Sequence, residues 1–323
     1  MKVRKIKADW YQRIRGFTLM ELLVSIVISS IVLSSLLSFM VNILNSERRE
    51  QAKLATEQEI QTALDYITND LQDAVYIYDA DGITAIRNQL PNPTDTNSVP
   101  VLVFWKRTFL PKDYQVVLPN GTTNRLGCLN KFPGTDTCDE KGYFVYSLVT
   151  YYLIKDSDKN WSSAARIGRW EIQDGIKDPK NSQNYLINPA PGFRLFDLTQ
   201  SGTLKDKMNA WQKDTFTAYD LRKNKVEVLA DFIDQSVEAP VPIGCANVSP
   251  TAQQTPANNS GINPLKIYSF YACVDSSLNL AQVYLRGNAL ARIDSEATYS
   301  DNRSAYFPSA SIQVKSRGTL SNK

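Results

Sequence analysis

The 323-residue chain contains no histidine. This absence excludes Ser-His-Asp and Cys-His catalytic groups and every zinc site that uses a histidine ligand. The chain also lacks the G-x-x-x-x-G-K-[ST] phosphate-binding loop and the G-x-G-x-x-G dinucleotide-binding pattern. A catalytic function that depends on these groups is therefore disfavoured, and no cofactor is expected.

Positive charge is concentrated in the first 16 residues. Of the 36 Lys and Arg residues in the chain, six precede residue 17, where Asp9 is the acidic residue. The rest of the chain has 30 basic and 32 acidic side chains and is close to neutral. A nucleic-acid-binding surface depends on an excess of positive charge, so no nucleic-acid partner is expected.

Cysteine is rare, and its spacing is informative. The chain has four cysteines and no C-x-x-C, which disfavours a zinc ribbon or a thioredoxin-like site. Cys128 and Cys138 flank a short loop, and Cys245 and Cys273 bracket a longer polar segment. In an exported domain this arrangement predicts the disulfides Cys128–Cys138 and Cys245–Cys273, whereas a cytosolic protein would keep four reduced thiols.

The longest apolar run, Phe17–Leu44, contains one charged residue, Glu21. The run exceeds the ~20 residues that a helix needs to cross a bilayer, and the six preceding cations place its N-terminal end in the cytoplasm. A cleaved secretory signal is disfavoured because the run is long and no small-residue cleavage site follows it. A plain anchor is the alternative, but an acidic side chain in hydrocarbon costs about 2.5–3.5 kcal/mol, so Glu21 requires a partner or a purpose.

The segment Arg15–Val24, with the sequence RGFTLMELLV, resembles the processing site of type IV prepilins. The resemblance implies that residues 1–16 are a leader peptide, that a prepilin peptidase cuts after Gly16, and that the new terminal residue, Phe17, is N-methylated. Glu21 is then the fifth mature residue, where the family keeps its glutamate. The resemblance also implies other pilins or pseudopilins, an inner-membrane assembly platform with its ATPase, and membrane lipid as partners.

An assembly role for Glu21 follows from the position of the new terminus. Cleavage would leave a free amine on Phe17 at the membrane interface, with Glu21 one helical turn deeper. A low dielectric strengthens the attraction between opposite charges, so we expect Glu21 to pair with the terminal ammonium of Phe17 in a neighbouring subunit. This charge pair would select the docking position during assembly.

Serines are spaced regularly in the same apolar run. Pairs four residues apart predict small-x-x-x-small faces for close helix contact, although they are alternatively tolerated small residues. The pairs are Ser25/Ser29, Ser30/Ser34 and Ser34/Ser38. The run lacks the helix-bending proline of many pilins, so a straighter helix is expected.

The helix is predicted to continue beyond the membrane, since no Gly or Pro occurs between Phe17 and Asp81. Apolar residues recur at spacings of three and four at Ile60, Leu64, Ile67, Leu71, Val75 and Tyr78. This pattern predicts a transmembrane and assembly helix over 17–44 and its amphipathic continuation over 45–81, ended by the turn residues Asp79–Gly82. The apolar stripe is expected to pack on a sheet, with a coiled-coil seam as the alternative.

Residues 82–323 are predicted to form a disulfide-containing, β-rich globular head. The clearest strand candidates are Val101–Trp105, Gln115–Leu118, Tyr143–Ile154, Arg166–Ile172, Val226–Ile233, Lys266–Val274, Ala281–Leu285 and Ser311–Val314. Pro- and Asn-rich stretches at 89–100, 176–192 and 246–264 are predicted loops. No second long helical pattern intervenes, so the expected fold class is α+β, with the long N-terminal helix on an antiparallel sheet in a pilin-like arrangement.

Segments 48–53, 58–67 and 71–82 are similar to the hormogonium polysaccharide secretion pseudopilins of cyanobacteria. The similarity implies a structural minor pseudopilin of a type IV pilus- or type II secretion-like system that supports polysaccharide secretion and gliding motility. It also implies a single-pass inner-membrane protein with a cytoplasmic N-terminus and a periplasmic head, later in a filament or at the cell surface. The alternative is a filament-tip adhesin or polysaccharide-binding module, and a membrane-anchored enzyme is disfavoured.

Three further groups of residues suggest sites that the sequence does not favour. Asp156–Asn160 resembles half of a calcium loop, but Trp161 and Ile167 replace the required glycine and glutamate, so a turn without metal is expected. Asp79 and Asp81 suggest a general acid–base pair, but their place in the predicted helix-ending turn disfavours catalysis. Several aromatic side chains would stack on sugars if exposed, but strands usually bury them: Tyr143, Tyr146, Tyr151, Tyr152, Trp161, Trp170 and Tyr268.

Overall fold

The computed structural model describes residues 18–118, 121–129, 136–178, 181–258 and 261–320. The chain divides into two compact units between Glu50 and Gln51. The helices are α1 (Leu19–Gln72), α2 (Ala80–Ile86) and α3 (Leu204–Asn209). The strands are β1 (Ala74–Ile77), β2 (Ser98–Leu110), β3 (Gln115–Val117), β4 (Thr123–Arg125), β5 (Tyr143–Ile154), β6 (Ala165–Gln173), β7 (Ile176–Asp178), β8 (Asn181–Ile187), β9 (Glu227–Ile233), β10 (Gln253–Thr255), β11 (Phe270–Asp275), β12 (Leu280–Arg286) and β13 (Ser309–Lys315).

The long helix α1 has the two-part character that the sequence predicts. No residue before Ala52 in its described part is buried. Beyond that point one face is buried at spacings of three and four, which is the pattern of an amphipathic helix packed on a core. The buried residues are Ala52, Thr56, Ile60, Ala63, Leu64, Ile67, Asp70 and Leu71.

The predicted end of this helix is wrong. Helix α1 stops at Gln72 rather than at Asp81, and the chain passes almost directly into strand β1, which pairs antiparallel with β2. The amphipathic segment predicted over 45–81 is correspondingly shorter, and Val75 lies in β1 rather than on a helical stripe. Asp79 does not end the first helix: it is the N-cap of α2, where its Oδ1 accepts the Gly82 N–H at 3.0 Å.

Within the described residues, the larger sheet has five strands in the order β1-β2-β5-β6-β9, and every neighbouring pair is antiparallel. A second, four-stranded sheet has the order β10-β11-β12-β13 and is also antiparallel throughout. A bridge between Ile233 and Gly287 connects the last strand of the first sheet to the end of β12. These sheets confirm the predicted α+β class with an antiparallel β-rich head.

The amphipathic part of α1 lies in the main hydrophobic core. Its buried side chains form one cluster with inward-facing residues of both large sheets, including Phe104, Val149, Phe270 and Val283. The other face of the five-stranded sheet is covered by a second cluster centred on Trp105, whose ring contacts Phe193, Phe196 and Trp211 edge-to-face. Burial on both faces explains why the central strands are almost continuously apolar.

All eight predicted strand segments overlap strands of the structure. The predicted loop 89–100 includes the first three residues of β2, and the other two predicted loops contain whole strands. The segment 176–192 contains the hairpin β7–β8, and 246–264 contains β10, which pairs with β11. Polar residues dominate both stretches, so the sequence pattern did not distinguish these short strands from loops.

Candidate functional site

The N-terminal part of α1 presents an apolar surface of a kind that membranes accommodate. Among the described residues, α1 is the helix that is long and apolar enough to cross a membrane. Its large apolar side chains up to Leu44 are all exposed: Leu19, Met20, Leu22, Leu23, Val24, Ile26, Val27, Ile28, Ile31, Val32, Leu33, Leu36, Leu37, Phe39, Met40, Val41, Ile43 and Leu44. Such an extended apolar surface marks a membrane or protein interaction site.

Glu21 is the acidic residue in the first turn of this helix. Thr18 stands at the N-cap position, and its Oγ1 accepts the backbone N–H of Glu21 at 3.3 Å. A negative charge in the first turn is stabilised by the unpaired N–H groups and by the positive end of the helix dipole. The one charged side chain of the apolar run, Glu21, therefore lies at the N-terminal end of α1. In the sequence, Gly16 and Phe17 come shortly before this end.

Four of the six serine hydroxyls of this segment donate hydrogen bonds to their own helix. Their acceptors are backbone carbonyls three or four residues earlier, so these donors are satisfied without water or a partner helix. The bonds are Ser25 to Glu21 at 2.7 Å, Ser30 to Val27 at 2.8 Å, Ser34 to Ser30 at 2.7 Å and Ser35 to Val32 at 2.8 Å. The small-residue faces themselves stay a prediction.

Two central residues of the predicted processing site, Gly16 and Phe17, lie outside the described residues, as does the whole predicted leader, 1–16. Cleavage after Gly16, methylation of Phe17 and the pairing of Phe17 with Glu21 therefore stay predictions.

A buried cluster of charges fixes the end of α1 to the five-stranded sheet. Asp70 accepts hydrogen bonds from Lys106 Nζ at 3.1 Å, the Tyr151 hydroxyl at 2.7 Å and Arg169 Nε at 2.7 Å. These three donors lie on β2, β5 and β6, which are consecutive strands of that sheet. Glu171 completes the cluster through Lys106 at 3.2 Å and Arg169 at 2.5 Å. We call these five residues the Asp70 cluster.

The electrostatics of the Asp70 cluster favour the charged forms of Asp70 and Arg169. Burial alone would raise the pKa of Asp70, but the bond from Arg169, the charges of Lys106 and Arg169 and the Tyr151 hydroxyl outweigh it and lower the pKa below 3.8. Burial opposes the charge on Arg169, yet its bond to Asp70 and the nearby Glu171 raise its pKa. Burial and the Asp70 charge raise the pKa of Tyr151, so its hydroxyl stays a donor. Asp70 and Arg169 are thus charged at neutral pH, and Tyr151 is neutral.

A second contact holds α1 to the head about three helical turns before the Asp70 cluster. Arg292 donates from Nε to the Thr56 hydroxyl at 3.0 Å and forms an ion pair with Glu59. The other oxygen of Glu59 accepts the backbone N–H of Asp231 at 3.0 Å. The head therefore holds both the start and the end of the amphipathic part of α1.

Both predicted disulfides are present in the structure. The Cα atoms are 4.5 Å apart in Cys128–Cys138 and 5.3 Å apart in Cys245–Cys273. Glu140 lies close to Cys128 and Cys138, and such a trio resembles a metal-ligand group. Metal binding requires thiolates, and these two sulfurs are joined to each other, so the trio carries no metal site.

The calcium-like segment is a turn, as the sequence favours. The carboxylate of Asp156 forms an ion pair with Arg166 at 2.6 Å and accepts the Asp158 N–H at 3.0 Å. Asp158 in turn accepts the backbone N–H of Asn160 at 3.0 Å. Asp79 and Asp81 both form ion pairs with Lys205 Nζ, at 2.7 Å and 3.1 Å. These carboxylates serve turn, cap and ion-pair geometry.

The aromatic residues singled out from the sequence do not share one surface. Tyr151, Tyr152 and Trp170 are buried in the cores, as strand burial predicts, whereas Trp161 is exposed. Tyr268 lines a groove on the four-stranded sheet together with Tyr271 and Tyr284.

Sequence reasoning missed the Asp70 cluster and the tyrosines at 271 and 284. A signal existed for the cluster, because Arg169 and Glu171 alternate with apolar residues along a predicted strand. That alternation gives no indication of the partner on α1, which lies far away in sequence.

These features define a class of protein: an α+β head with a long apolar N-terminal helix that fits a membrane-anchored, single-pass protein. Residues 11–37 match the family model described as "Prokaryotic N-terminal methylation motif". The match supports a type IV pilin-like protein and implies processing by a prepilin peptidase and assembly with other pilins. Proteins with this motif are structural rather than catalytic. No curated protein and no solved structure matches the chain.

Proposed function

We propose that the protein is a structural prepilin that is cut after Gly16, N-methylated on Phe17 and assembled with other pilins or pseudopilins through the apolar part of α1. The observation that carries the proposal is the combination of the methylation motif at residues 11–37 with an exposed apolar helix holding one acidic residue in its first turn. An ordinary anchor has no use for that acidic residue, because a charged side chain in an apolar membrane segment is costly and usually has a partner or a function.

In the proposed assembly step, Glu21 neutralises the terminal ammonium of Phe17 on an adjacent subunit within the inner membrane. The distance dependence of the Coulomb energy makes such a pair selective for one axial position in a low dielectric. The serine bonds within the helix support the same role, because they remove unsatisfied hydroxyl donors from the apolar surface that subunits would share. The membrane platform and its ATPase would supply the energy.

We extend the proposal to a minor pseudopilin of a polysaccharide-secretion system with gliding motility. Its support is the similarity of segments 48–53, 58–67 and 71–82 to the hormogonium pseudopilins. In this arrangement the N-terminus is cytoplasmic, the head is periplasmic, and the disulfides form in the oxidising compartment.

N-terminal mass spectrometry of the membrane-extracted protein tests the processing step. We expect a mature chain that begins at Phe17 and carries one methyl group on its amine. Recovery of a functional chain that still carries Met1–Gly16 would overturn the proposal.

Incorporation of variants into filaments tests the assembly step. We expect Glu21→Val to be processed and to insert in the membrane, but to be absent from sheared filaments or cross-linked pseudopilin complexes. Glu47→Gln is the matched control, because it removes an acidic charge from the same helix just beyond the apolar run. Equal incorporation of Glu21→Val and the control would reject the charge-pair role.

A further inference from the structure

The four-stranded sheet has a polar and aromatic face that the hydrophobic core does not use. Phe270, Ala272 and Val274 of β11 point into the core, so Tyr271 points to the opposite face. The strand register places Tyr271 opposite Tyr284 of β12, and Tyr284 opposite Ser311 of β13. This row forms the floor of a groove.

A second row of residues lies beside the first on the floor of the groove. Arg286 of β12 is paired with Ser309 of β13, and its backbone N–H donates to the carbonyl of Ser269 at 2.8 Å. The walls of the groove come from Pro240, Val241, Ile243, Tyr299 and Phe307. The volume of this open groove is about 430 Å³, within the range of small-ligand sites.

The aromatic rings leave one face available. The rings of Tyr271 and Tyr284 are stacked, with centroids 4.5 Å apart and planes inclined by 6°. The Tyr271 hydroxyl accepts the Ile243 N–H at 3.0 Å, which fixes the pair against the wall. On the other side, the residue of β13 that pairs with Tyr284 is the small residue Ser311. The second face of the Tyr284 ring is therefore open toward the groove.

The groove is polar but has little net charge. Its cation, Arg286, donates from Nε to the fully buried Asp234 at 2.7 Å, and from Nη2 to the Ala239 carbonyl at 3.2 Å. This ion pair neutralises Arg286, which disfavours an anionic ligand. Ser269 is 1% exposed, and its hydroxyl has no hydrogen-bond partner among the described residues. A buried hydroxyl without a partner costs free energy, so Ser269 is suited to a ligand that bonds to it.

We propose that this groove binds a neutral oligosaccharide. The apolar face of a pyranose ring would stack on the open face of Tyr284, and its hydroxyls would bond with Ser269, Ser309 and Ser311. A purely apolar peptide would leave these hydroxyl groups unpaired, and a charged ligand would meet a neutralised guanidinium. The site lies wholly within the head and stands apart from the proposed processing and assembly of α1, so either proposal can fail without the other.

Saturation-transfer difference NMR on the full chain tests the site, with the chain in a detergent that has no sugar headgroup. The probes are cellopentaose, maltopentaose and xylopentaose, with a galacturonate pentamer and a proline-rich peptide as competing classes. We expect at least one neutral pentasaccharide to bind, and Tyr284→Ala to raise its Kd about tenfold. Tyr114→Ala is the matched control, since Tyr114 is exposed away from the groove and should leave the Kd unchanged.

Ser269→Ala provides a second test with little risk to folding, and thermal unfolding checks that each variant is native. We expect Ser269→Ala to weaken binding of the same pentasaccharide. If Tyr284→Ala does not fold, the result with Ser269→Ala alone decides the test. Failure of every neutral pentasaccharide to bind overturns the proposal, as does binding restricted to the acidic sugar or the peptide. Binding that neither Tyr284→Ala nor Ser269→Ala weakens also overturns it, because the sugar would then occupy another surface.

Discussion

Replacing Asp70 with Asn tests whether the buried charge cluster holds α1 to the sheet. The substitution keeps the shape of the side chain and removes its charge, so Lys106 and Arg169 are left with Glu171 as their anionic partner. Both cations are largely buried, with side chains 13% and 11% exposed. Because Lys106 and Arg169 are buried, hydration compensates only weakly for the lost charge of the Asp70 carboxylate.

The expected destabilisation follows from the burial of these groups. Removing one member of a buried ion pair costs about 3–5 kcal/mol, chiefly because the remaining charge loses its partner. The cost of Asp70→Asn should be near the lower end of this range, at about 3 kcal/mol. The reasons are that Glu171 still pairs with both cations and that Asn retains part of the hydrogen bonding. For a domain of this size each kcal/mol lowers the Tm by about 2–4 °C, so we expect a decrease of roughly 6–12 °C.

Thermal unfolding followed by near-ultraviolet circular dichroism measures this change. Asp65→Asn is the matched control on the same helix, because Asp65 is exposed and accepts its bond from Gln61 in water. We expect that control to stay within about 0.5 kcal/mol of the wild type. If Asp70→Asn is as stable as Asp65→Asn, the cluster does not anchor the helix and the reasoning is refuted.

The same pair of variants has a defined pH dependence. The folded-state pKa of Asp70 lies below 3.8, so its contribution to stability is present above the unfolded pKa and is lost as the pH falls through the folded pKa. We expect the stability difference between wild type and Asp70→Asn to be constant above about pH 5 and to shrink below about pH 3.8. A difference that grows on acidification would contradict the assigned direction of the shift.

Two further predictions concern packing and cross-linking in the head. Gly287→Ala should lower the free energy of unfolding by about 1–3 kcal/mol in denaturant melts, because a Cβ there would meet Thr56 Cγ2 of α1 at 2.3 Å. Gly244→Ala, which meets nothing within 4 Å, should change it by less than about 0.5 kcal/mol, and equal effects would argue against close packing at Gly287. Replacing Cys245 and Cys273 together by Ser should cost about 3.5 kcal/mol, from a closed loop with a sequence separation of 28, and an unchanged melt under the same conditions would refute that stabilisation.

The sequence predicts the parts of this fold that depend on local pattern. Alternation and apolar runs locate the long central strands, and regular spacing from Ile60 to Leu71 locates the buried face of α1. The end of α1 was not predictable in the same way, because no Gly or Pro marks Gln72. Strand β1 forms in place of further helix because it pairs with β2, which is a tertiary contact. The apolar spacing of three and four continues through β1 only by coincidence.

The candidate sites also differ in whether local sequence pattern or tertiary contacts assemble them. The processing motif, the apolar helix and Glu21 are contiguous in sequence, and adjacent cysteines along the chain were paired correctly in the head. The Asp70 cluster and the tyrosine groove combine residues from separate strands, so their assembly depends on register. For example, Tyr271 and Tyr284 become neighbours only when β11 and β12 pair as they do.

The abrupt change from α1 to β1 has a mechanical consequence. A pulling force on the helix would reach β1 after a single residue, Asp73, whose carbonyl accepts the Arg107 N–H at 3.1 Å. The load would then act on the β1–β2 ladder in shear, while the Asp70 side chain passes part of it sideways to β5 and β6. Tension applied through the helix is thus shared among several strands rather than concentrated on one connection.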